Sequence, residues 1–472
     1  MTTTASRSPS VATPWLRWAL AVGVGVAVRA LAPAAGLSPL ARAVVPIAAF
    51  TMTLWILQPV SAAIAAILML ALMIVAGVPP PLALSGFSSP QFWILLAVLY
   101  YGFAMQKTHL ARRLAFHILR RFPATYGGIL GAFFVMGIVL ALGIPSMTVR
   151  TAIMVPIAWA LVGALGLEPH SRGAALIIIS AIEMAVVPGL AFLYGALFGP
   201  VVASLFAAKG LPLSWFGYAQ VMTVPIVTLS VCVLVVNRLV MQPERAIDAS
   251  AQFARDQLAA LGRIKGVELV TALVVCSSIV LWATDRYHHI PAYVIGMLAL
   301  TAFGMAGIIR DGDISAGVPW SLLLFLGGIF SLGSIIQEYK ITDWLAGFFV
   351  PTVQQLTASP VAFLIAMSLA MFALRFLDPP GFIALTVLFL GVVDLAARAG
   401  VPPLVLVAAL LFASAPFWAT YQNIWVAMGD GLTGGQGFTS QQRVTLATAY
   451  AIVSLVTLVG AVWYWKLVGV LG

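Results

Sequence analysis

An arginine lies inside one of the most apolar stretches of the chain. Residues 143–157 have the sequence GIPSMTVRTAIMVPI, in which Ser146, Thr148 and Arg150 follow closely on Pro145. An arginine at the centre of a membrane helix costs about 2.5–3.5 kcal/mol on insertion scales, so such residues usually serve a function. A guanidinium keeps its proton and presents a planar fork that matches a carboxylate. We therefore expect Arg150 to bind an anionic substrate, with Ser146 and Thr148 beside it.

Three further charged residues interrupt apolar sequence. Arg375 and Asp378 lie three residues apart in the segment RFLDPPG, and Glu183 begins the segment EMAVVPGLAFLYGALFGP. Burial favours the neutral form of a carboxyl group, so Asp378 or Glu183 could carry a coupling proton. Two alternatives stay open: Arg150 could pair with Glu183 or Asp378 and only hold the backbone, and Asp378 could form a permanent ion pair with Arg375.

The composition identifies the kind of molecule that must position these groups. Of 472 residues, 62% are hydrophobic and only 8% are charged, and the mean hydropathy is +1.08. Long apolar runs recur from Trp15 onward, as in a polytopic helical membrane protein. The net charge is +10, and the basic residues lie in short loops between apolar segments rather than clustered on a soluble face. This distribution argues against nucleic-acid binding. We expect no enzyme activity, no bound metal and no cofactor, because no catalytic cluster has suitable spacing.

The apolar runs predict an all-α fold of about 11 transmembrane helices, one of them a continuous span over 91–116. The basic loops place the N-terminus in the cytoplasm and the C-terminus outside. The predicted divisions are a cytoplasmic tail (1–14), a first repeat with scaffold helices (15–240, hairpin 126–167), a cytoplasmic amphipathic linker (241–265) and a second repeat (266–472, hairpin 359–397).

The two halves repeat the same pattern at nearly constant spacing. The corresponding residues are Trp93 and Trp320, Ser146 and Asp378, and Pro188 and Pro416. Each copy contains a helical hairpin with a polar tip, followed by a helix that a proline interrupts. The predicted topology gives the copies opposite orientations, as in the inverted repeats of many transporters. The N-terminal ends of half-helices carry partial positive charge, so the breaks could together form an anion site.

Several segments resemble the divalent anion/sodium symporter family, within the broader ion-transporter superfamily. The segment FTMTLWILQPVSAAIAAILML resembles an early conserved region, with Gln58 where glutamate is usual. GFSSPQFWILLAVLYYGFAMQKTHLARRLA resembles the next helix, with His109 replacing a usual glycine. PSMTVRTAIMVPI resembles the tip of the first re-entrant hairpin, and ATYQNIW resembles the second unwound segment.

The resemblance implies two re-entrant hairpins, two broken helices and an elevator-type secondary transporter of di- or tricarboxylates. It also implies a homodimer in the bacterial inner membrane. Inorganic anions such as sulfate or arsenite, or cation/proton antiport, are the alternatives. With the charged residues identified above, the predicted substrate residues are Ser146, Thr148, Arg150, Arg375, Asp378, Thr420 and Asn423, and those predicted for a coupling sodium ion or proton are Ser146, Gly189, Glu183 and Asp378.

The chain departs from the family at both hairpin tips. The usual Ser-Asn-Thr is Ser146-Met147-Thr148 in the first tip and Asp378-Pro379-Pro380 in the second. A thioether offers no oxygen to a hard cation. These departures make sodium coupling doubtful, and they favour the hypothesis that a fixed guanidinium replaces the charge of sodium.

Overall fold

The computed structural model describes residues 14–31, 37–123, 125–244, 246–247, 252–341, 344, 359–378 and 380–471. All regular structure within those ranges is helical, which confirms the predicted fold class. Seven of the described helices are long and apolar enough to cross a membrane, and shorter apolar helices accompany them.

The helices are numbered in chain order. They are α1 (Pro14–Leu31), α2 (Ala41–Leu57), α3 (Ala62–Val75), α4 (Pro80–Ala83), α5 (Ser85–Ser88), α6 (Pro90–Lys107), α7 (Leu110–Leu119), α8 (Tyr126–Gly143), α9 (Met147–Ala164), α10 (Arg172–Val186), α11 (Phe198–Ala208), α12 (Trp215–Val240), α13 (Gln252–Leu261), α14 (Gly266–Ala283), α15 (Asp285–His288), α16 (Ala292–Met305), α17 (Asp311–Ala316), α18 (Trp320–Glu338), α19 (Pro360–Leu374), α20 (Phe382–Arg398), α21 (Pro403–Phe412), α22 (Ile424–Leu432) and α23 (Ser440–Leu467).

One compact unit contains the described residues of 1–89 and 319–345. Within it, α18 packs closely on α3 and α5. Gly86 makes this possible, because a Cβ atom there would lie 2.5 Å from the backbone nitrogen of Ser331. The Ser331 hydroxyl accepts a hydrogen bond from the Gly86 backbone at 2.9 Å.

The second compact unit contains the described residues of 90–318 and 346–472, and it includes both predicted hairpins. In the first, α8 and α9 are separated by three non-helical residues, Ile144–Ser146. The second has arms α19 and α20, close to the predicted boundaries. The second arm of the first hairpin, α9, begins at Met147, so Thr148 and Arg150 lie in the first turn of this helix. The Ser146 side chain starts the helix by accepting from Val149 N at 3.3 Å.

Both predicted helix breaks are present in this unit. The first separates α10 from α11, with a 3-10 helix at Val187–Ala191 and irregular backbone beyond it. The second separates α21 from α22, with a 3-10 helix at Thr420–Gln422. Pro188 and Pro416 lie in corresponding positions of the two breaks, where a missing N–H favours the interruption of a helix. The order of hairpin and broken helix thus occurs twice, as predicted from the repeat.

The predicted continuous span over 91–116 is wrong. The chain turns at His109, whose φ of 64° lies in the left-handed region, and this turn separates α6 from α7. Lys107, at the end of α6, donates a hydrogen bond to the Asp313 carboxylate at 2.5 Å. That hydrogen bond holds the pKa of Asp313 below its usual range.

The predicted amphipathic linker contains α13, which is fastened to α7 by a buried arginine. Arg113 donates to both carboxylate oxygens of Glu268, at 2.6 and 3.1 Å. It also donates to the carbonyl of Gly262 at 2.8 Å, just beyond the end of α13. The rings of Phe116 and Phe253 pack edge to face beside it, with centroids 6.2 Å apart. Arg113 therefore combines a buried ion pair with hydrogen bonds to carbonyls that the end of α13 leaves unpaired. We call these contacts of Arg113 the clamp.

Replacing Arg113 by alanine is expected to lower the free energy of unfolding by about 3–5 kcal/mol, because Glu268 would remain buried without a counter-charge. Thermal unfolding of the purified protein measures this. Arg112→Ala is the matched control: Arg112 is an exposed neighbour on the same helix, and surface changes usually stay within about 0.5 kcal/mol. Equal melting temperatures for the two variants would contradict the clamp.

Candidate functional site

Four helix N-termini meet in the second unit. Thr148 in the first turn of α9 accepts a hydrogen bond from the Trp425 indole in the first turn of α22, at 3.3 Å. Phe198 and Phe382, the first residues of α11 and α20, pack with ring centroids 4.9 Å apart. Each contact joins an arm of one hairpin to a half-helix from the other repeat.

Arg150 connects α9 to the first helix break. Its side chain is fully buried. Nε donates to the carbonyl of Ala185 and Nη1 to that of Gly195, both at 2.6 Å. Nη1 also donates to the carbonyl of Ile144, in the tip of the same hairpin. Through Nε and Nη1, the arginine thus makes three hydrogen bonds to backbone oxygens: one in the tip, one in the last turn of α10 and one in the break.

Arg375 makes the equivalent connection in the second repeat. It is also fully buried. Nη2 donates to the carbonyl of Gln422 at 3.0 Å, in the second break, and Nη1 donates to the carbonyl of Asp378, in the second hairpin tip. The two arginines and the two contacts described above close a ring through α9, α11, α20 and α22. We call this set of four N-termini, with Arg150 and Arg375, the anion ring.

Neither arginine forms an ion pair. Among the described residues, the ion pairs join Lys107 to Asp313, Arg113 to Glu268, Arg172 to Glu244 and Lys209 to Asp394. Among the described residues, Arg150 thus forms no ion pair with Glu183 or Asp378, and Asp378 forms none with Arg375 within 4.0 Å, although these last two groups interact electrostatically. The backbone explains this: carbonyls that the breaks release lie closer to each guanidinium than any carboxylate does. The anion ring therefore holds two buried guanidinium groups and one buried carboxylate, that of Asp378, which interacts electrostatically with Arg375 without a hydrogen-bonded ion pair.

Several buried polar atoms of the anion ring have no hydrogen-bond partner among the described residues. Three are donors: Nη2 of Arg150, Nε of Arg375 and Nε2 of Gln422. One is an acceptor, Oδ1 of Asp378. Buried polar groups are nearly always paired in folded proteins, so unpaired ones need an explanation. An excess of unpaired donors beside positive charge is the complement of an anion.

The remaining predicted site residues have different surroundings. Asn423 caps α22 by accepting from Trp425 N and Val426 N at 3.1 and 3.2 Å. The second oxygen of Asp378 accepts from Ala384 N at 2.8 Å, in the first turn of α20. Thr420 is half-buried, and its hydroxyl accepts from Arg443.

Gly189 lies against the guanidinium of Arg150. A Cβ atom at this position would overlap Nη2 and would lie 2.5 Å from the carbonyl oxygen of Gly195. This close approach explains why the position has no side chain. Gly189 therefore belongs to the anion ring because its missing side chain leaves room for the guanidinium of Arg150.

Glu183 lies outside the anion ring. Its carboxylate is buried and accepts from the Asn237 amide of α12 at 2.5 Å. The same amide donates to Ser180 at 3.2 Å. The structure therefore separates Glu183 from the other predicted coupling residues and gives it a polar partner that the sequence analysis did not identify.

Sequence reasoning also missed Gln422, Trp425, Tyr218 and Tyr450. The two tyrosines donate to carbonyls beside the breaks, Tyr218 to Leu190 at 3.0 Å and Tyr450 to Phe412 at 2.8 Å. A polar group inside an apolar helix was the sequence signal that could have identified the two tyrosines, and the same signal marks Asn237.

Comparison with known proteins agrees with this arrangement. The family described as "Sodium:sulfate symporter transmembrane region" matches residues 12–471. The chain is 23% identical to the putative malate transporter YflS of Bacillus subtilis, over 96% of each chain. It is 21% identical to dicarboxylate transporter 1 of spinach (Spinacia oleracea) chloroplasts, over 70% of this chain and 60% of that one.

The solved structure of MtrF from Neisseria gonorrhoeae has the same fold, with a TM-score of 0.56 at 12% identity over 98% of this chain and 96% of that one. The match to the family covers nearly the whole chain, including both hairpins and both breaks. This protein is therefore a membrane transporter that belongs to the sodium:sulfate symporter family, the divalent anion/sodium symporters that its sequence resembles.

Proposed function

We propose that the protein transports small organic dianions, principally dicarboxylates, by alternating access at the anion ring. The observation that supports this most directly is the burial of Arg150 and Arg375 without a paired carboxylate. The Asp378 carboxylate offsets part of this positive charge, and the remainder is costly to bury. A bound anion would supply the missing negative charge, and the unpaired donors of both arginines would bind it.

The ring has a second source of positive potential. Each helix N-terminus carries about half a positive elementary charge, and its first N–H groups bind anions readily. Four such ends, two from each repeat, meet around the arginines. The electrostatics therefore favour an anion over a cation, which argues against the cation/proton antiport alternative.

Two guanidinium groups, one from each repeat, suit a substrate with a carboxylate at each end. A guanidinium donates strong charge-assisted hydrogen bonds to carboxylates, and each arginine keeps one nitrogen without a partner among the described residues, Nη2 of Arg150 and Nε of Arg375. The similarity to a putative malate transporter supports the same substrate class. Sulfate is the second candidate, because the family description includes it. We further propose an elevator movement of the ring within a homodimer, in line with the family resemblance.

The experiment is a competition assay with radiolabelled succinate bound to the purified protein. Unlabelled malate is expected to displace succinate at least tenfold more effectively than lactate, sulfate or arsenite. Lactate, sulfate and arsenite each lack the second carboxylate that the guanidinium of the other repeat would bind. Displacement of succinate by sulfate but not by malate would favour transport of inorganic anions. Absence of any binding of succinate would contradict the proposal.

Two serine caps provide a matched pair of variants for this assay. Ser146 caps α9 in the anion ring, and Ser171 caps α10 at its far end by accepting from Ala174 N at 3.2 Å. Each alanine substitution removes one cap, worth about 1 kcal/mol of stability. Only Ser146→Ala should also weaken succinate binding.

A further inference from the structure

A third arginine contacts the second helix break, and neither the sequence analysis nor the anion ring includes it. Arg443 lies in the first turn of α23, and its Nη1 donates a hydrogen bond to the Thr420 hydroxyl. Thr420 begins the 3-10 turn of the second break, and Gln422 ends it. Arg375 donates to the carbonyl of Gln422 at 3.0 Å. A turn of three residues therefore binds two guanidinium groups, one at each end.

The side chains at this turn keep three donors without partners. These are Nε of Arg443, Nε of Arg375 and Nε2 of Gln422, each buried and without a hydrogen bond among the described residues. Gln422 is fully buried, and its amide oxygen accepts from Ala419 N at 3.3 Å, so the NH2 group is the half that remains. Buried donors are nearly always paired. A carboxylate, which only accepts and has about four acceptor positions, is a suitable partner for all three.

The charge at the turn also favours an anion. Among the described residues, Arg443 forms no ion pair. Arg375 interacts electrostatically with the carboxylate of Asp378, which offsets part of its charge. Two guanidinium groups and one carboxylate leave a positive balance at the turn. A carboxylate bound there would meet both charge-assisted donors and a net attraction.

Arg443 differs from the other two arginines in its exposure. Arg150 and Arg375 are fully buried, whereas Arg443 is half-buried. The turn that it contacts runs from the surface inward, because Tyr421 is 58% exposed and the adjacent Gln422 is fully buried. Arg443 is therefore the arginine at which an anion from outside the protein first meets the second break.

We infer that Arg443, Gln422 and Arg375 form a subsite for one of the two carboxylates of the substrate, and that Arg443 selects dianions over monoanions. We call these three residues the distal subsite. The inference rests on the proposed function, because it assigns one end of the same dicarboxylate. The other carboxylate binds at Arg150, whose charge no described carboxylate offsets. A monocarboxylate binds at Arg150 alone and leaves the distal subsite without its anion.

The test compares succinate with succinamate, in which an amide replaces one carboxylate, as ligands of the purified full-length protein. The wild type is expected to bind succinate at least about tenfold more tightly, as the loss of a charged hydrogen-bond acceptor predicts. Arg443→Gln should weaken succinate binding by a similar factor and change succinamate binding by less than about threefold. Arg443→Lys keeps the charge and should keep most of the preference. Arg398→Gln, at the exposed end of α20, is the control and should bind both ligands like the wild type.

Three results would contradict the inference or the proposed function. Equal binding of succinate and succinamate by the wild type would overturn the distal subsite, whatever the variants show. An unchanged preference in Arg443→Gln, or an equal loss of both ligands, would remove Arg443 from the recognition of the second carboxylate. Absence of succinate binding by the wild type would instead contradict the proposed function itself.

Discussion

Arg150→Met is expected to reduce succinate binding by about two to three orders of magnitude. A unit charge about 4 Å from a carboxylate contributes roughly 4 kcal/mol at an effective dielectric constant near 20. Every 1.4 kcal/mol changes affinity about tenfold, so loss of this charge has a large effect. Methionine keeps much of the side-chain length and removes all donors. Succinate binding to the purified variant measures the loss.

The stability of Arg150→Met should change less than its binding. Three carbonyls, those of Ile144, Ala185 and Gly195, lose their donor, at about 1–3 kcal/mol for each group left unsatisfied. Removal of a desolvated charge without a counter-charge offsets much of this cost. A variant that remains monodisperse and binds no substrate would therefore separate the two roles.

Arg172 provides the control for this experiment. It lies at the start of α10, in a half-exposed ion pair with Glu244 at 3.4 Å. Surface pairs of this kind are worth at most about 1 kcal/mol. Arg172→Met should bind succinate like the wild type. Wild-type binding in Arg150→Met would show that the arginine only holds the hairpin tip to the break.

Gly189→Ala has the second largest expected effect, a loss of exchange of at least a hundredfold. The added Cβ would overlap Nη2 of Arg150, the unpaired donor that we propose binds the substrate. It would also lie 2.5 Å from the carbonyl oxygen of Gly195, and a backbone group cannot move away as a flexible side chain can. The guanidinium must then leave its position in the break. Succinate counterflow in proteoliposomes measures this.

Gly163→Ala is the matched control for Gly189→Ala. Gly163 lies in α9, and a Cβ atom there would have no heavy atom of another part of the protein within 4 Å. Alanine in a helix interior is favoured over glycine by about 0.5–1 kcal/mol. Gly163→Ala should therefore exchange succinate normally and unfold at the same or a higher temperature. Normal exchange in Gly189→Ala would place Arg150 Nη2 outside the substrate site.

Local sequence patterns determined the elements of this protein. Apolar runs predicted the helices, and Pro188 and Pro416 predicted the breaks, because proline lacks the N–H of a helical hydrogen bond. Proline alone does not decide a break, since Pro46, Pro156 and Pro225 lie inside continuous helices. The repeat predicted that hairpin and broken helix occur twice. The exception was His109: a left-handed residue ended a span that the sequence analysis had carried through the polar segment QKTHLARR (residues 106–113).

The partners of the buried charges were decided by the tertiary structure alone. The sequence placed Arg150 and Arg375 in apolar surroundings, and charge alone suggested carboxylates as their partners. In the folded chain, each guanidinium instead meets carbonyls that lie near in space, from 35 and 45 residues away for Arg150 and from 47 for Arg375. Every residue has a carbonyl, so no residue type marks the ones that a helix break leaves unpaired. Only the packing of a hairpin tip against a broken helix selects them, and that packing turned two arginines into fixed charges of one anion ring.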